Sequence, residues 1–480
     1  MRAALVAAGF AGNVPLQRAD VRDTELSGFA PAEKQLAVGL RRTSAGEPVD
    51  TLTRLFLMGL RVPVAAVAAA LPDTGLGPWV DCGLIVREGE QVRALFQLAP
   101  VRGLYLAADP VWEGTLGPLH VMSYSGSSHS LALLSIRRKC VRALDLGCGS
   151  GIQALLAASH AGEVVASDAN PRAVELTRFN AALNGMPHVT AREGDLFGPV
   201  AGERFDLIVS NPPFVISPDR TFLYRDGGRA GNDLIRELLA AAPEHLAPGG
   251  YFQMLCEWAH GGDEHWQTGP TRWLAGTGCD AWVIRVKTSA PAEHAESWVT
   301  CHEGDSPIEM ADQMNRWINW YAAQGFEQFT YGSITLRKQS AGRPWMRFDA
   351  PPLLRERAGE AIEQGFARQD FLVAHPGDKL LSARLLLPPE VKWEQQLSPI
   401  TQGWQVTDAQ LRTTGGLGYI GTPNEFVMGL LDRCRGRLTL GEAITDLEAA
   451  IGEELDRDGV AAVVRQMVEQ GFLVPTGVPG

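Results

Sequence analysis

The amino-acid sequence predicts an α/β protein in which a mostly parallel sheet is covered by helices on both faces. The main observation is that residues 121–345 alternate β-rich runs with helical segments, which is the order that builds parallel sheets. Residues 1–120 show helical patterning followed by strand-like stretches, and the alternation fades again over residues 346–480. We therefore predict three domains with these boundaries and place the ligand site in the middle one.

The N-terminal domain is predicted to be winged-helix-like. Residues 30–42 and 50–71 carry apolar side chains at helical spacing, and a REGE turn at 87–90 joins the two strand-like stretches that follow. The C-terminal domain ends in helical patterns closed by a short strand. It is predicted to be a small, mainly helical accessory domain, and a second winged-helix module also fits.

The first strand of the middle domain leads directly into a glycine-rich turn. Residues 141–146 form a short apolar run, and the following LDLGCGSG segment places glycine at positions 147, 149 and 151 before a helical stretch. The helix N-terminus offers unpaired N–H groups, and the absent Cβ atoms let a ligand lie against the backbone. This pattern predicts a nucleotide-like ligand. Its GxGxG spacing disfavours a nicotinamide cofactor without excluding one, because dinucleotide folds use GxGxxG.

Acidic residues follow the next two strands. The strand GEVVASD ends on Asp168, where a carboxylate can accept hydrogen bonds from both hydroxyls of a ribose. Asn170 and Pro171 are typical of a helix start immediately afterwards. The third strand, HVTAREGD, ends on Asp195, which is placed to meet an adenine amino group.

The fourth strand ends in the tetrapeptide Asn211-Pro212-Pro213-Phe214. Two consecutive prolines hold the backbone extended and remove two N–H donors, which leaves carbonyl oxygens free to accept. The Asn211 side-chain oxygen and the Pro212 carbonyl could then accept the two N–H bonds of a planar amine or amide, while Phe214 stacks on its plane. The alternative interpretation of the tetrapeptide alone is a proline-rich loop that merely ends a strand.

Together these motifs resemble a known family. DLGCGSG, SDANP, EGDLF and NPPF occur in this order, and the chain is therefore similar to the class I S-adenosylmethionine-dependent methyltransferases over residues 120–340. The NPPF element resembles that of the amino-methylating branch, which includes release-factor glutamine methyltransferases and ribosomal RNA base N-methyltransferases. The resemblance implies a Rossmann-like sheet of seven strands, with YFQMLCEW as the fifth and an antiparallel FTYGSITLRK as the last.

The resemblance also assigns roles to residues, with S-adenosylmethionine as the cofactor. It implies that the target nitrogen is held by Asn211, Pro212 and Phe214. It implies that the cofactor is bound by Asp145, Gly147, Gly149, Gly151, Asp168, Asp195, Leu196 and Asn211.

Two further segments are weaker candidates for contacting the substrate. Tyr124 lies in SYSGSSHSLALL before the first strand, and Tyr224, Arg225 and Asp226 follow the NPPF tetrapeptide closely. The alternatives are an ordinary helix cap in the first segment and a glycine-rich loop in the second. The long segment 294–326 before the last strand is larger than a minimal domain needs and could help form a substrate wall.

Composition restricts the partners. The net charge of −12 and the 13 basic against 19 acidic residues from position 346 onward weigh against a polyanion gripped over a large area. The longest apolar runs stay below the ~18 residues that a membrane span needs. The seven cysteines never form a CxxC pair, so the sequence predicts neither a disulfide framework nor a metal site, and it predicts a cytoplasmic location.

The sequence leaves three functions open. The first is N-methylation of an amide or amine on a macromolecule, either an RNA base or a protein or peptide side chain. The second is methylation of a small molecule, such as a natural product, with end domains that form a homodimer. The third is a non-catalytic S-adenosylmethionine-binding scaffold, which the intact NPPF tetrapeptide disfavours.

Overall fold

A computed structural model of the chain describes residues 1–26, 33–112, 117–219, 231–299, 306–339 and 342–477. It divides into two compact units. The first contains residues 1–132 and 139–349, and the second contains residues 133–138 and 350–480. Among the described residues, no helix is both long and apolar enough to cross a membrane.

The first unit begins with short helices and two hairpins. The helices are α1 (Arg2–Ala7), α2 (Val14–Ala19), α3 (Glu33–Arg42), α4 (Pro48–Phe56), α5 (Val64–Ala70) and α6 (Gly77–Asp81). Strands β1 (Val62–Pro63), β2 (Ile85–Glu88) and β3 (Gln91–Ala94) form a sheet in the order β1-β3-β2, and β4 (Gln97–Val101) pairs with β5 (Leu104–Ala108). The REGE turn joins β2 to β3 as predicted, with Gly89 at φ 64°.

An eight-stranded sheet forms the centre of the first unit. Its strands are β6 (Cys140–Leu146), β7 (Ala161–Asp168), β8 (Val189–Glu193), β9 (Phe205–Ser210), β10 (Leu246–His260), β11 (Cys279–Ser289), β12 (Gln328–Lys338) and β13 (Met346–Asp349). The order is β13-β11-β12-β10-β9-β6-β7-β8, and β12 runs antiparallel to both neighbours. The helices of this part are α7 (Gly126–Leu134), α8 (Ile152–Ala157), α9 (Pro171–Leu183), α10 (Asp233–Ala241), α11 (Thr268–Leu274), α12 (Pro291–Trp298) and α13 (Pro307–Gln324).

The predicted α/β alternation is confirmed, but the predicted number of seven strands is wrong. YFQMLCEW lies in β10 and FTYGSITLRK in the antiparallel β12, as expected. The additional strand β13 pairs in parallel with β11 at the edge of the sheet. Side chains attach it, because the Arg347 guanidinium lies 4.1 Å from the ring centroid of Trp282 and the indole N–H of Trp282 donates to Asp349 at 2.8 Å. A strand of four residues leaves too little alternation to be predicted from sequence.

Helix α9 is joined to the N-terminal hairpin by two buried asparagines. Asn180 accepts from the Ala107 N–H and donates to the Ala107 carbonyl, both at 2.8 Å. Asn184 makes the same pair of bonds with Tyr105, at 2.9 and 2.7 Å. Each amide therefore pairs with β5 much as a neighbouring strand would, and this fixes β5 to the helix that follows Asp168.

The second unit contains more strand than predicted. Its helices are α14 (Ala358–Ala374), α15 (Glu425–Arg433), α16 (Leu440–Ile451) and α17 (Arg457–Gln470). Strands β14 (Arg384–Leu386), β15 (Val391–Ile400), β16 (Gly403–Thr413), β17 (Ile420–Gly421), β18 (Arg435–Thr439) and β19 (Val474–Pro475) form two sheets, β18-β14-β19 and β15-β16-β17. The prediction of a mainly helical domain missed the β15–β16 hairpin. Nearly all of β15 is exposed, so burial imposes no clear period-two pattern there.

Candidate active site

Three predicted site residues lie at one edge of the sheet because of strand register. Leu146 pairs with Ser167 of β7 on one side and with Ser210 of β9 on the other. Gly147, Asp168 and Asn211 are the next residues of these parallel strands, so they meet at the carboxyl edge. Ligands of open parallel sheets bind at this edge.

The glycine turn leaves space at two positions and is packed at the third. Gly147, Gly149 and Gly151 have φ values of 76°, 53° and 84°, a region that side chains rarely adopt. A Cβ atom on Gly147 or Gly149 would meet nothing within 4 Å, whereas one on Gly151 would lie 2.8 Å from the Thr177 side chain. Gly147 and Gly149 thus leave open space against the backbone of the turn 147–151, which we call the cradle. Gly151 allows α8 to pack closely against α9.

Asp168 fixes the turn and the following helix. Its carboxylate accepts from the Gly149 N–H and from the Asn170 N–H, both at 2.8 Å. Burial raises the pKa of Asp168. Asn170 caps α9 by accepting from the Arg172 N–H at 3.0 Å, and Pro171 occupies the first turn as predicted. Asp168 therefore couples the backbone of the cradle to the start of α9.

A second carboxylate, Asp145, lies beneath the turn. Asp145 is 1% exposed, and its Oδ2 accepts from the Ala154 N–H at 2.8 Å. Burial raises its pKa to about 7, and the negative charge of Asp168 acts in the same direction. Burial disfavours the charged form of both carboxyl groups, and a nearby positive charge favours it. This end of the cradle is therefore favourable for a positively charged ligand group.

We expect Asp145→Asn to stabilise the ligand-free protein much more at pH 8 than at pH 5. The oxygen of the substituted amide can still accept from the Ala154 N–H, whereas the costly buried charge is removed. Burial raises the Asp145 pKa from 3.8 to about 7. The folded wild-type protein therefore loses stability relative to the unfolded chain as the pH rises from 3.8 to about 7. The gain at pH 8 is on the order of a few kcal/mol. Thermal unfolding of both proteins at the two pH values measures it, and an equal effect at both would contradict the assignment.

The segment after β8 contains a strained residue. β8 ends at Glu193 rather than at the predicted Asp195, and the Gly194 N–H donates to the Asp168 carbonyl at 2.9 Å. Asp195 is exposed, and Leu196 has a φ of 45°, which is uncommon for leucine. Strain of this kind concentrates at ligand sites. The adenine contact of Asp195 and Leu196 stays a prediction.

Asn211 presents an unused acceptor at the centre of the site. Its Nδ2 donates to the Ser127 hydroxyl at 3.2 Å. Its Oδ1 is buried and has no hydrogen-bond partner among the described residues. A buried amide oxygen without a partner costs about 1–3 kcal/mol, so a ligand N–H that reaches it gains a strong site. Ser127 is held in turn by the first turn of α7, where the Ser125 hydroxyl accepts from the Ser128 N–H at 3.1 Å.

Phe214 forms part of an aromatic wall that sequence reasoning did not find. Its ring centroid lies 5.6 Å from that of Tyr331 on β12 and 6.1 Å from that of Trp298 on α12. All three side chains are partly exposed. Their positions in distant parts of the chain gave no local signal, although Tyr331 lies in a strand that the sequence did predict.

The remaining candidates are placed differently. Tyr124 is fully buried, with its hydroxyl 3.1 Å from Nδ1 of His129, so it contributes to the interior beneath α7. Tyr224, Arg225 and Asp226 lie outside the described residues. The described residues thus place an open glycine turn and two buried carboxylates at the same edge of the sheet as the unpartnered Oδ1 of Asn211.

The chain matches three protein families. Residues 126–264 match the methyltransferase small domain family. Two further matches are to domains of unknown function, DUF7059 over residues 30–95 and DUF7782 over residues 363–475.

Three curated relatives illustrate the similarity. A release factor glutamine methyltransferase of Xylella fastidiosa is 39% identical over 25% of this chain and 48% of its own length. A putative protein N5-glutamine methyltransferase of Methanocaldococcus jannaschii is 33% identical over 30% of this chain and 76% of its own length. A ribosomal RNA small subunit methyltransferase C of Alcanivorax borkumensis is 36% identical over 23% of this chain and 30% of its own length. The chain spans about half the length of most curated relatives that it matches.

Proposed function

Because this chain belongs to the class I S-adenosylmethionine-dependent methyltransferases, we propose that it methylates a planar nitrogen on a macromolecule. The first candidate acceptor is the side-chain amide of a protein or peptide. The second is an exocyclic amine of an RNA base, which the similarity to an RNA methyltransferase favours. The net charge of −12 supports the first candidate, because nucleic-acid readers usually carry a basic face.

The residues of the cradle fit S-adenosylmethionine. Gly147 and Gly149 leave space against the backbone, and Asp168 supplies carboxylate oxygens beside it. The buried carboxylates of Asp145 and Asp168 suit a ligand that carries both an ammonium and a sulfonium group. When bound, this cofactor supplies a methyl group attached to positively charged sulfur, which is reactive without a metal ion or a redox partner.

The observation that carries the proposal is the buried, unpartnered Oδ1 of Asn211. It can accept an N–H bond of the acceptor group and hold the nitrogen toward the cradle. The lack of an N–H on Pro212 and Pro213 keeps competing donors away, and Phe214 can pack on the planar group. Orientation of this kind can lower a reaction barrier by about 7–11 kcal/mol. S-adenosylmethionine held in the cradle would supply the methyl group, with a C–N bond replacing its C–S bond, and the acceptor nitrogen would lose its proton to solvent.

We also propose that residues 1–120 form a winged-helix-like module that recognises the acceptor. The order of α4, strand β1, α5 and α6 followed by the β2–β3 hairpin supports this, as does the attachment of β5 to α9. The homodimer and the cytoplasmic location stay predictions.

A transfer assay tests the proposed function. The purified protein is incubated with methyl-labelled S-adenosylmethionine and cell extract, and protein, RNA and small molecules are then separated. We expect label in the protein fraction, or in RNA if the second candidate is correct. Label confined to small molecules would contradict a macromolecular acceptor and support the natural-product alternative.

A further inference from the structure

A buried series of hydrogen bonds connects residues 211–219, which we call the NPPF loop, to α13, α12 and β10. The Tyr321 hydroxyl on α13 donates to the Ile216 carbonyl at 3.1 Å. Nδ1 of His294 on α12 lies 2.7 Å from the same hydroxyl, and Nε2 of His294 lies 2.7 Å from Oε2 of Glu257 on β10. Side-chain exposure is 1% for His294 and 6% for Glu257, so water does not compete for these bonds.

The protons of these hydrogen bonds can be counted. Since the Tyr321 proton goes to the Ile216 carbonyl, His294 must donate its Nδ1 proton to the Tyr321 oxygen. One further proton then lies between Nε2 of His294 and the Glu257 carboxyl group. These hydrogen bonds therefore connect Glu257 through His294 and Tyr321 to the Ile216 carbonyl. The imidazole ring of His294 is held by stacking on Phe329, with the ring centroids 4.0 Å apart.

Helix α13 also bonds to the NPPF loop at Asp219. The indole N–H of Trp317 donates to Oδ2 of Asp219 at 2.8 Å, and Arg316 donates to Oδ1 at 2.7 Å. An apolar cluster fills the space between α12, α13 and the loop, with Trp317 and Tyr321 at its centre. The loop that begins at Asn211 is thus held by a segment that a minimal sheet does not need.

We propose that α12 and α13 clamp the NPPF loop in its working position, with Tyr321, His294 and Glu257 as positioning residues for Asn211. The inference rests on the proposed function, in which Asn211 orients the acceptor nitrogen. None of the three residues touches the reacting atoms. They fix the Ile216 carbonyl and so restrict the backbone on which Asn211 and Phe214 lie. A displacement of about 1 Å in such a loop can reduce the rate on the order of a hundredfold.

Tyr321→Phe tests the clamp, with Tyr105→Phe as the matched control. Both changes remove one buried hydroxyl that donates to a backbone carbonyl, since the Tyr105 hydroxyl donates to Phe10 at 2.8 Å. In Tyr321→Phe we expect amide hydrogen exchange over residues 214–217 to rise about tenfold, with unchanged exchange at 147–151. Methyl transfer to the labelled extract fraction should fall at least tenfold, while S-adenosylmethionine affinity measured by calorimetry stays within about twofold. The control should leave the loop exchange unchanged.

Glu257→Gln and Glu257→Leu separate hydrogen bonding from simple packing. A glutamine amide can donate the one required proton to Nε2 of His294. We therefore expect Glu257→Gln to keep the loop exchange at the wild-type level and to retain most of the transfer rate. Glu257→Leu should behave like Tyr321→Phe.

Unchanged exchange over 214–217 in Tyr321→Phe, or equal loss in the two Glu257 variants, would overturn the clamp. A wild-type protein that transfers no methyl group would contradict the proposed function instead, because the exchange measurement does not depend on transfer.

Discussion

Replacing Asn211 by alanine is expected to remove methyl transfer while leaving S-adenosylmethionine binding nearly intact. The buried Oδ1 of Asn211 is the acceptor that the site offers to the target N–H, and alanine leaves no group in its place. Removing one pre-oriented polar group from an active site typically costs about 10²–10³ in rate. Cofactor affinity should change little, because the cradle is built by the glycine turn and Asp168. Initial rates with labelled cofactor and calorimetric titration of the cofactor measure the two effects.

Ser127→Ala is the matched control for this prediction. It removes the hydroxyl that accepts from Nδ2 of Asn211 at 3.2 Å but keeps the acceptor oxygen. We expect a rate loss of about tenfold or less, in line with the loss of one neutral hydrogen bond. Asn211→Ala with a normal rate, or with a loss of cofactor affinity as large as its loss of rate, would remove Asn211 from its proposed role.

Asp168→Ala is expected to weaken S-adenosylmethionine binding by about a hundredfold. The carboxylate accepts from the Gly149 and Asn170 N–H groups at 2.8 Å, and the end of β7, where it lies, is where ribose hydroxyls are bound in nucleotide folds. Each hydrogen bond to a charged group contributes about 1.5–3 kcal/mol, so loss of the ribose contacts and of the turn geometry together gives an effect of this size. Calorimetric titration measures it directly.

Asp206→Ala provides a control at the opposite edge of the same sheet. Asp206 also accepts from two backbone N–H groups, those of Val141 and Arg142, each at 2.9 Å. Its removal should lower the melting temperature through similar losses but leave cofactor affinity unchanged. If both variants weaken the cofactor equally, Asp168 acts only through general stability.

The sequence was most informative where structure is local. The strand, glycine turn and helix around Gly147, and the Asn170 and Pro171 start of α9, depend on neighbouring residues and were predicted correctly. The carboxyl-edge meeting of Gly147, Asp168 and Asn211 also followed, because parallel register brings successive strand ends together.

Features that depend on distant contacts were not predictable. Tyr331 and Trp298 reach Phe214 from other elements, and His294 bonds to Glu257 and Tyr321 across three elements. Each of these side chains also fits an ordinary core position, so its sequence context does not separate packing from function. The role of Gly151 likewise required the position of Thr177.

In the proposed reaction the methyl group goes to a planar nitrogen held by Asn211. The most direct measurement is mass spectrometric location of the methyl group in the product that the wild-type protein labels and Asn211→Ala does not. We predict a methyl group on the nitrogen of a side-chain amide or of a base amine. A methyl group on oxygen, sulfur or carbon, or an identical product from both proteins, would contradict the proposed role of Asn211.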